Sequence, residues 1–166
     1  MSIGGHQGSV SGAEEWLTPP HIIQALGPFD LDPCACADRP WDTAYNHYTI
    51  EQDGLSREWS GRVWLNPPYG RKTAFWLRRL ADHGNGIALM FARTETAMFF
   101  ESVWPKATAL LFIEGRLYFY FSNGRVARAN CGAPSVLIAY GEEMACVLER
   151  CGIGGAFVRL AADGHL

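Results

Sequence analysis

The chain has 166 residues, 48% of them hydrophobic and 13% aromatic, which is enough to bury the core of one domain and excludes a disordered tail. Fourteen basic against seventeen acidic residues leave a formal net charge of −3, which excludes a protein that coats nucleic acid through overall positive charge. That total hides a segregation. Residues 1–56 carry eight acids and one base, residues 57–128 carry eleven bases and five acids, and residues 129–166 carry two bases and four acids. Twelve of the fourteen bases are Arg, the side chain suited to phosphates and base edges.

The opening MSIGGHQGSVSGA has no basic or apolar signal region and reads as a flexible Gly/Ser arm over residues 1–13, ahead of a single domain over 14–166. No stretch approaches the ~20 apolar residues of a membrane helix, so no membrane partner is expected. Five cysteines, an odd number scattered at 34, 36, 131, 146 and 151, match no zinc-ligand spacing. They fit reduced thiols of a cytoplasmic protein without a metal site. After the arm, Thr18-Pro19-Pro20 predicts a helix over 19–26, with Thr18 as its cap, stopped by Gly27-Pro28. A short strand follows at 29–32, ended by Pro33. Residues 34–53 have no periodicity that assigns them to helix or strand. A second strand at 62–65 runs into Asn66-Pro67-Pro68-Tyr69-Gly70. An amphipathic helix is predicted at 72–82, a buried strand at 87–91 and a helix at 94–104 before Pro105. Strands at 108–113, 116–121 and 136–140 with a Ser122-Asn123-Gly124 turn read as a hairpin-rich close. A helix at 142–151 and a strand at 156–160 complete the chain. This alternation implies an α/β fold with a largely parallel sheet. Such sheets bind ligands at the carboxyl ends of their strands, which singles out the loops after Asp32 and after Leu65.

The second loop carries the chemistry. Two prolines hold φ and remove backbone donors, so Asn66-Pro67-Pro68-Tyr69 is rigid and offers carbonyl acceptors. The Asn66 side-chain oxygen adds another acceptor and Tyr69 a flat apolar face. Together these suit a planar ring with an exocyclic amine, whose two hydrogens point at the Asn66 oxygen and the Pro67 carbonyl while the ring stacks on Tyr69. Accepting both hydrogens frees the nitrogen lone pair to act as nucleophile without a strong base.

The chain resembles the small phage-type DNA adenine-N6 methyltransferases, the phage Dam-like family, from about residue 15 to residue 140. The resemblance rests on Trp16-x-Thr18-Pro19, Phe29-Asp30-Leu31-Asp32-Pro33-x-Ala35, Asp53-Gly54-Leu55 followed by Trp59, and Asn66-Pro67-Pro68-Tyr69-Gly70. It continues through Arg93-Thr94-x-Thr96 and Gly115-Arg116-Leu117-x-Phe119. It implies a Rossmann-like class I methyltransferase fold, a mostly parallel sheet flanked by helices with a C-terminal antiparallel hairpin. It implies S-adenosyl-L-methionine as cofactor and a site-specific transfer to the N6 amine of an adenine flipped out of double-stranded DNA. Asn66, Pro67, Pro68 and Tyr69 would then be catalytic. On the cofactor side the resemblance implies Thr18, Pro19, Asp30, Asp32, Pro33, Cys34, Ala35, Asp53 and Leu55. A carboxylate in the first loop can face either the ammonium of the methionine moiety or the ribose hydroxyls. Methyltransferases usually place glycines there, and residues 32–38 contain none. Arg71, Lys72, Arg93, Arg116, Arg125 and Arg128 are the candidates for DNA contacts. Residues 122–134 are the best candidate for reading sequence, because no separate recognition domain is evident. The same resemblance implies a phage or prophage gene product working in a bacterial cytoplasm; the oligomeric state is left open, a monomer being compatible. The same chemistry also suits an RNA adenine or a protein glutamine amide, and a catalytically degenerate DNA-binding relative would keep the fold. Labelled methyl transfer to each acceptor separates them.

Overall fold

The computed structural model describes residues 16–128 and 131–161; the N-terminal arm lies outside them. In chain order the elements are β1 (Trp16–Leu17), α1 (Pro20–Leu26), β2 (Leu31–Asp32), β3 (Asn46–His47), β4 (Val63–Leu65), α2 (Thr73–His83) and β5 (Gly86–Phe91). Then come α3 (Ala97–Ser102), β6 (Ala109–Ile113), β7 (Tyr120–Phe121), β8 (Ser135–Tyr140), α4 (Glu142–Arg150) and β9 (Gly155–Arg159). Seven strands form one sheet in the order β3-β2-β4-β5-β8-β6-β9. The β3, β2, β4 and β5 ladders are parallel, and β8 and β9 run against β5 and β6, so five strands share one direction.

Alternation along the strands sorts side chains onto two faces. Trp64, Ile87 and Leu89 pack on one side with Ile22 and Leu26 of α1 and Met144, Ala145 and Leu148 of α4. Val63, Leu65, Ala88 and Met90 pack on the other with Leu77 and Leu80 of α2 and Phe99 of α3. The result is a mixed α/β sandwich with helices on both faces of a mostly parallel sheet, as the element order predicts.

Three expectations need correction. The first helix begins at Pro20, with Pro19 rather than Thr18 at its cap. A residue before proline is pushed out of the helical region, and Pro19, at φ −54° and ψ 134°, obeys that rule ahead of Pro20. The third helix stops at Ser102, short of residue 104. The Phe99 carbonyl accepts from both Val103 N (2.9 Å) and Trp104 N (3.0 Å), which unwinds the last turn before Pro105. Finally, residues 116–121 do not join the main sheet. The chain turns away at Gly115, whose φ of +77° favours a residue without a side chain. It then folds back on itself, with Phe121 N donating to Arg125 O (2.9 Å) and Ala127 N to Phe119 O (2.8 Å). Only Tyr120–Phe121 is a strand, and its partner is β1 in a separate two-stranded sheet.

Candidate active site

The chain leaves β2 toward β3 on one side and leaves β4 toward β5 on the other, while β2 and β4 are neighbours. Their carboxyl ends therefore diverge into a crevice, the place where open α/β sheets bind ligands. Register and pleat decide what faces it. Leu31 pairs with Val63, so the next residues, Asp32 and Trp64, lie side by side on the opposite face from that pair. A cleft there is lined by Thr18, Asp32, Cys34, Arg39, Trp41, Thr43, Trp64 and Asn66, among others.

Asp32 is only 5% exposed. Its carboxylate accepts from the Thr43 hydroxyl (2.5 Å) and from Cys34 N (3.1 Å). Burial nevertheless raises its pKa to about 6, against the opposing pull of these bonds and of Arg39. Thr43 is in turn held by His47, whose Nε2 accepts from Thr43 N and Ala44 N, both at 3.3 Å. Burial, then Arg39, lowers the His47 pKa, which keeps that ring an acceptor. Burial and the neighbouring Asp32 push the Cys34 thiol well up, so it stays protonated and donates to Asn66 O at 3.4 Å. Trp64 is wholly buried, and its indole N–H has no hydrogen-bond partner among the described residues.

In the candidate catalytic loop, Asn66 Nδ2 donates to Trp16 O (3.3 Å) and to Thr18 Oγ1 (3.2 Å). Thr73 closes the loop: its hydroxyl accepts from Gly70 N and donates to Pro68 O, both at 2.8 Å. The Pro68 carbonyl is thereby engaged, while the Pro67 carbonyl accepts no hydrogen bond among the described residues. Tyr69 stacks on Phe91 of β5 with ring centroids 4.2 Å apart and planes 16° apart, yet the residue is 46% exposed. One face is backed and the other is open. Desolvation of its hydroxyl raises the phenol's pKa, opposed by a hydrogen bond to the Phe91 backbone.

The expected cofactor residues divide. Thr18, Asp32, Cys34 and Ala35 line one cleft, which they share with the catalytic candidate Asn66. The Asp53-Gly54-Leu55 turn adjoins Pro33: a side chain at Gly54 would sit 1.9 Å from the Pro33 carbonyl, so only glycine allows the approach. Asp30 lies elsewhere. Asp30 N and Leu31 N both donate to Arg62 O, which interrupts the alternation, and the Asp30 carboxylate accepts from Arg62 N at 2.7 Å. It braces the turn into β4 rather than facing the cleft. The sequence reading missed Arg39, Trp41 and Thr43 as cleft residues, because the segment that bears them has no periodicity. One signal was available: Arg39 is the lone base among residues 1–56.

The six candidate DNA-facing cations, Arg71, Lys72, Arg93, Arg116, Arg125 and Arg128, are all exposed. None of them forms an ion pair among the described residues, whereas Arg39, Arg62, Arg78, Lys106 and Arg159 each pair with a carboxylate. Arg71 and Lys72 follow the Asn66–Gly70 loop directly. Arg125 and Arg128 line a groove on the 117–128 hairpin with Phe121, Asn123 and Val126. That hairpin leans on the cleft wall, with Tyr120 edge-on to Trp41 at 5.2 Å.

A family model described as DNA N-6-adenine-methyltransferase (Dam) matches residues 7–146. A DNA N-6-adenine-methyltransferase of Escherichia phage T1 is 28% identical over 123 residues, covering 69% of this chain and 51% of that protein. The chain thus spans about half the length of that curated relative. No solved structure matches.

Proposed function

The chain belongs to the DNA N-6-adenine-methyltransferase (Dam) family, and from that premise we propose that it methylates the N6 amine of adenine in double-stranded DNA, using S-adenosyl-L-methionine. The observation that carries this reading is the placement of Asn66-Pro67-Pro68-Tyr69 at the end of β4, beside the buried Asp32 at the end of β2, where the strand order reverses. The strand order and the crevice support assignment to the Rossmann-like class I methyltransferases. We extend the same reading to a single catalytic domain over 14–166 that works as a monomer in the cytoplasm of a bacterial host.

The cleft fits the cofactor's amino-acid end. Asp32 is an anionic acceptor suited to an ammonium, and the Trp64 indole N–H, without a partner among the described residues, is a donor suited to a carboxylate. Pro33, Cys34 and Ala35 would wall that end, the Thr18 hydroxyl being given to Asn66 instead, and Asp53 with Leu55 would border the adenine end. S-adenosylmethionine supplies a methyl on a positively charged sulfur, so the electrophile needs no activation by the protein. What remains is alignment and a competent nitrogen. The open face of Tyr69, backed by Phe91, stacks the flipped base and offsets part of the few kcal/mol lost on unstacking it. Asn66 Oδ1 and the Pro67 carbonyl accept the two amine hydrogens and localise the lone pair on nitrogen. Arg71, Lys72, Arg93, Arg116, Arg125 and Arg128 would hold the duplex by its phosphates and base edges.

The test is transfer of labelled methyl groups from S-adenosylmethionine to unmethylated duplex DNA, to RNA and to a glutamine-bearing peptide, with the product mapped. N6-methyladenine in DNA is the expected product. Transfer only to RNA or peptide, or no transfer under single-turnover conditions, would overturn the reading.

A further inference from the structure

An asparagine amide has a donor end and an acceptor end of nearly identical shape, and only its neighbours decide which end faces a substrate. For Asn66 those neighbours come from 48 and 50 positions earlier in the chain: Thr18 Oγ1 at 3.2 Å and the Trp16 carbonyl at 3.3 Å. A carbonyl can only accept, so the NH2 end must face Trp16, and Oδ1 points away from it. A hydroxyl accepts or donates, so Thr18 does not set this polarity alone. It holds the second amide proton and thereby fixes rotation about the terminal side-chain bond, which is otherwise broad. Thr18 is 2% exposed and lies outside α1, whose cap it does not form. Its hydroxyl is thus available for the Asn66 amide. The segment is held in place from the opposite side: Trp16 pairs with Phe121 and Leu17 with Tyr120, and the Trp16 and Phe121 rings are 5.1 Å apart.

We propose that Thr18, with the Trp16 carbonyl, is a positioning residue for methyl transfer: it locks the Asn66 carboxamide with Oδ1 toward the acceptor amine. This rests on the catalytic role given to Asn66 above. A carboxamide free to rotate would present a donor to an amine that needs an acceptor, and misplacement of a catalytic group by about 1 Å can cost on the order of 100-fold in rate.

The experiment compares Thr18→Val, which removes the hydroxyl at constant shape, with Thr18→Ser, which keeps it. Single-turnover transfer to DNA and calorimetric binding of S-adenosylmethionine are both measured. Thr18→Val is expected to slow transfer about 10- to 100-fold while cofactor affinity stays within about threefold, and Thr18→Ser is expected to recover most of the lost rate. Unchanged transfer in Thr18→Val overturns the proposal. So does an equal loss in both variants, which would mark a packing role, or a loss of cofactor affinity that matches the loss of rate, which would mark a cofactor contact. If Thr18→Val does not fold, Thr18→Ala makes the same deletion. A second readout needs no turnover: the Asn66 side-chain amide resonance, identified by its disappearance in Asn66→Ala. Its hydrogens should exchange with water several-fold faster in Thr18→Val, and unchanged exchange overturns the proposal. Should the wild-type protein prove inactive on DNA, the methyltransferase reading fails on that result, and the exchange measurement alone decides the positioning contact.

Discussion

The two halves of the sheet are built differently. On one side, β3 and β2 are two residues long and β4 three. On the other, β5 and β8 are six residues and β6 and β9 five. The long half is held by an antiparallel ladder from β5 through β8 and β6 to β9, and every residue of β8 is buried. The short half owes its order to side chains and loops: Thr43 on Asp32, Cys34 on Asn66, Asp30 on Arg62. It also holds the cleft. A parallel strand that ends after two or three residues leaves its neighbours' loops free to diverge, and the divergence is the crevice. The lesson is a division of labour between a half that supplies cohesion and a half that exposes polar groups at the cost of cohesion, as ligand-binding segments commonly do.

Paired substitutions break this comparison most sharply. Asn66→Ala in the short half should lower methyl transfer by about 10²–10³-fold, the loss typical of one preorganised polar group at a reacting centre, with little change in melting temperature. Leu137→Ala in β8 should do the reverse. Deleting a wholly buried leucine side chain costs about 2–5 kcal/mol, read as a lower urea midpoint, while single-turnover transfer by the folded fraction is unchanged. If Asn66→Ala unfolds the protein, or Leu137→Ala spares it, the halves are not separable.

A pH series sharpens the contrast within the short half. Asp32 has a pKa raised from 3.8 to about 6. A raised carboxyl pKa means that the fold favours the protonated form. Its stabilising contribution is therefore present below about pH 4 and lost as pH rises through about 6, on the order of 3 kcal/mol in all. Relative to Asp32→Asn, the ligand-free protein should gain stability on acidification from pH 7 to 5. Cofactor affinity should move the other way and fall up to about tenfold per pH unit below 6, because the carboxylate is the form that meets an ammonium. Calorimetry and thermal melts on both proteins read the two trends, and parallel trends would remove Asp32 from the cofactor site.

The smallest expected effect concerns the hairpin that bridges the halves. Replacing Arg125 and Arg128 together with Ala should reduce the slope of log affinity for DNA against log salt by about 2, with cofactor affinity unchanged. An unaltered slope would move the DNA contacts elsewhere on the cationic segment.

What could be read from the sequence follows from the same asymmetry. The strands β5, β6 and β8 are continuous apolar runs, so composition alone locates them to within a residue or so. The two-residue strands β1 and β3 carry no pattern and exist only because a neighbour supplies the ladder. Asp30 and Asp32 look equivalent in sequence, two apart at the end of one strand. The Arg62 carbonyl, by accepting from two successive amides, turns one into a brace and leaves the other in the cleft.

By itself the sequence determined that the chain builds an α/β core, that its charge is segregated, and that a rigid acceptor-bearing loop follows a buried strand. Those features depend on local residue types: apolar periodicity, proline stiffness and the absence of donors. Tertiary structure alone decided which carboxylate faces the cleft, which cations pair with carboxylates among the described residues, and which end of the Asn66 amide is presented. Each of these depends on groups far apart in the chain meeting at close range, where the direction of a hydrogen bond or the loss of solvent is set by the neighbour and not by the residue itself.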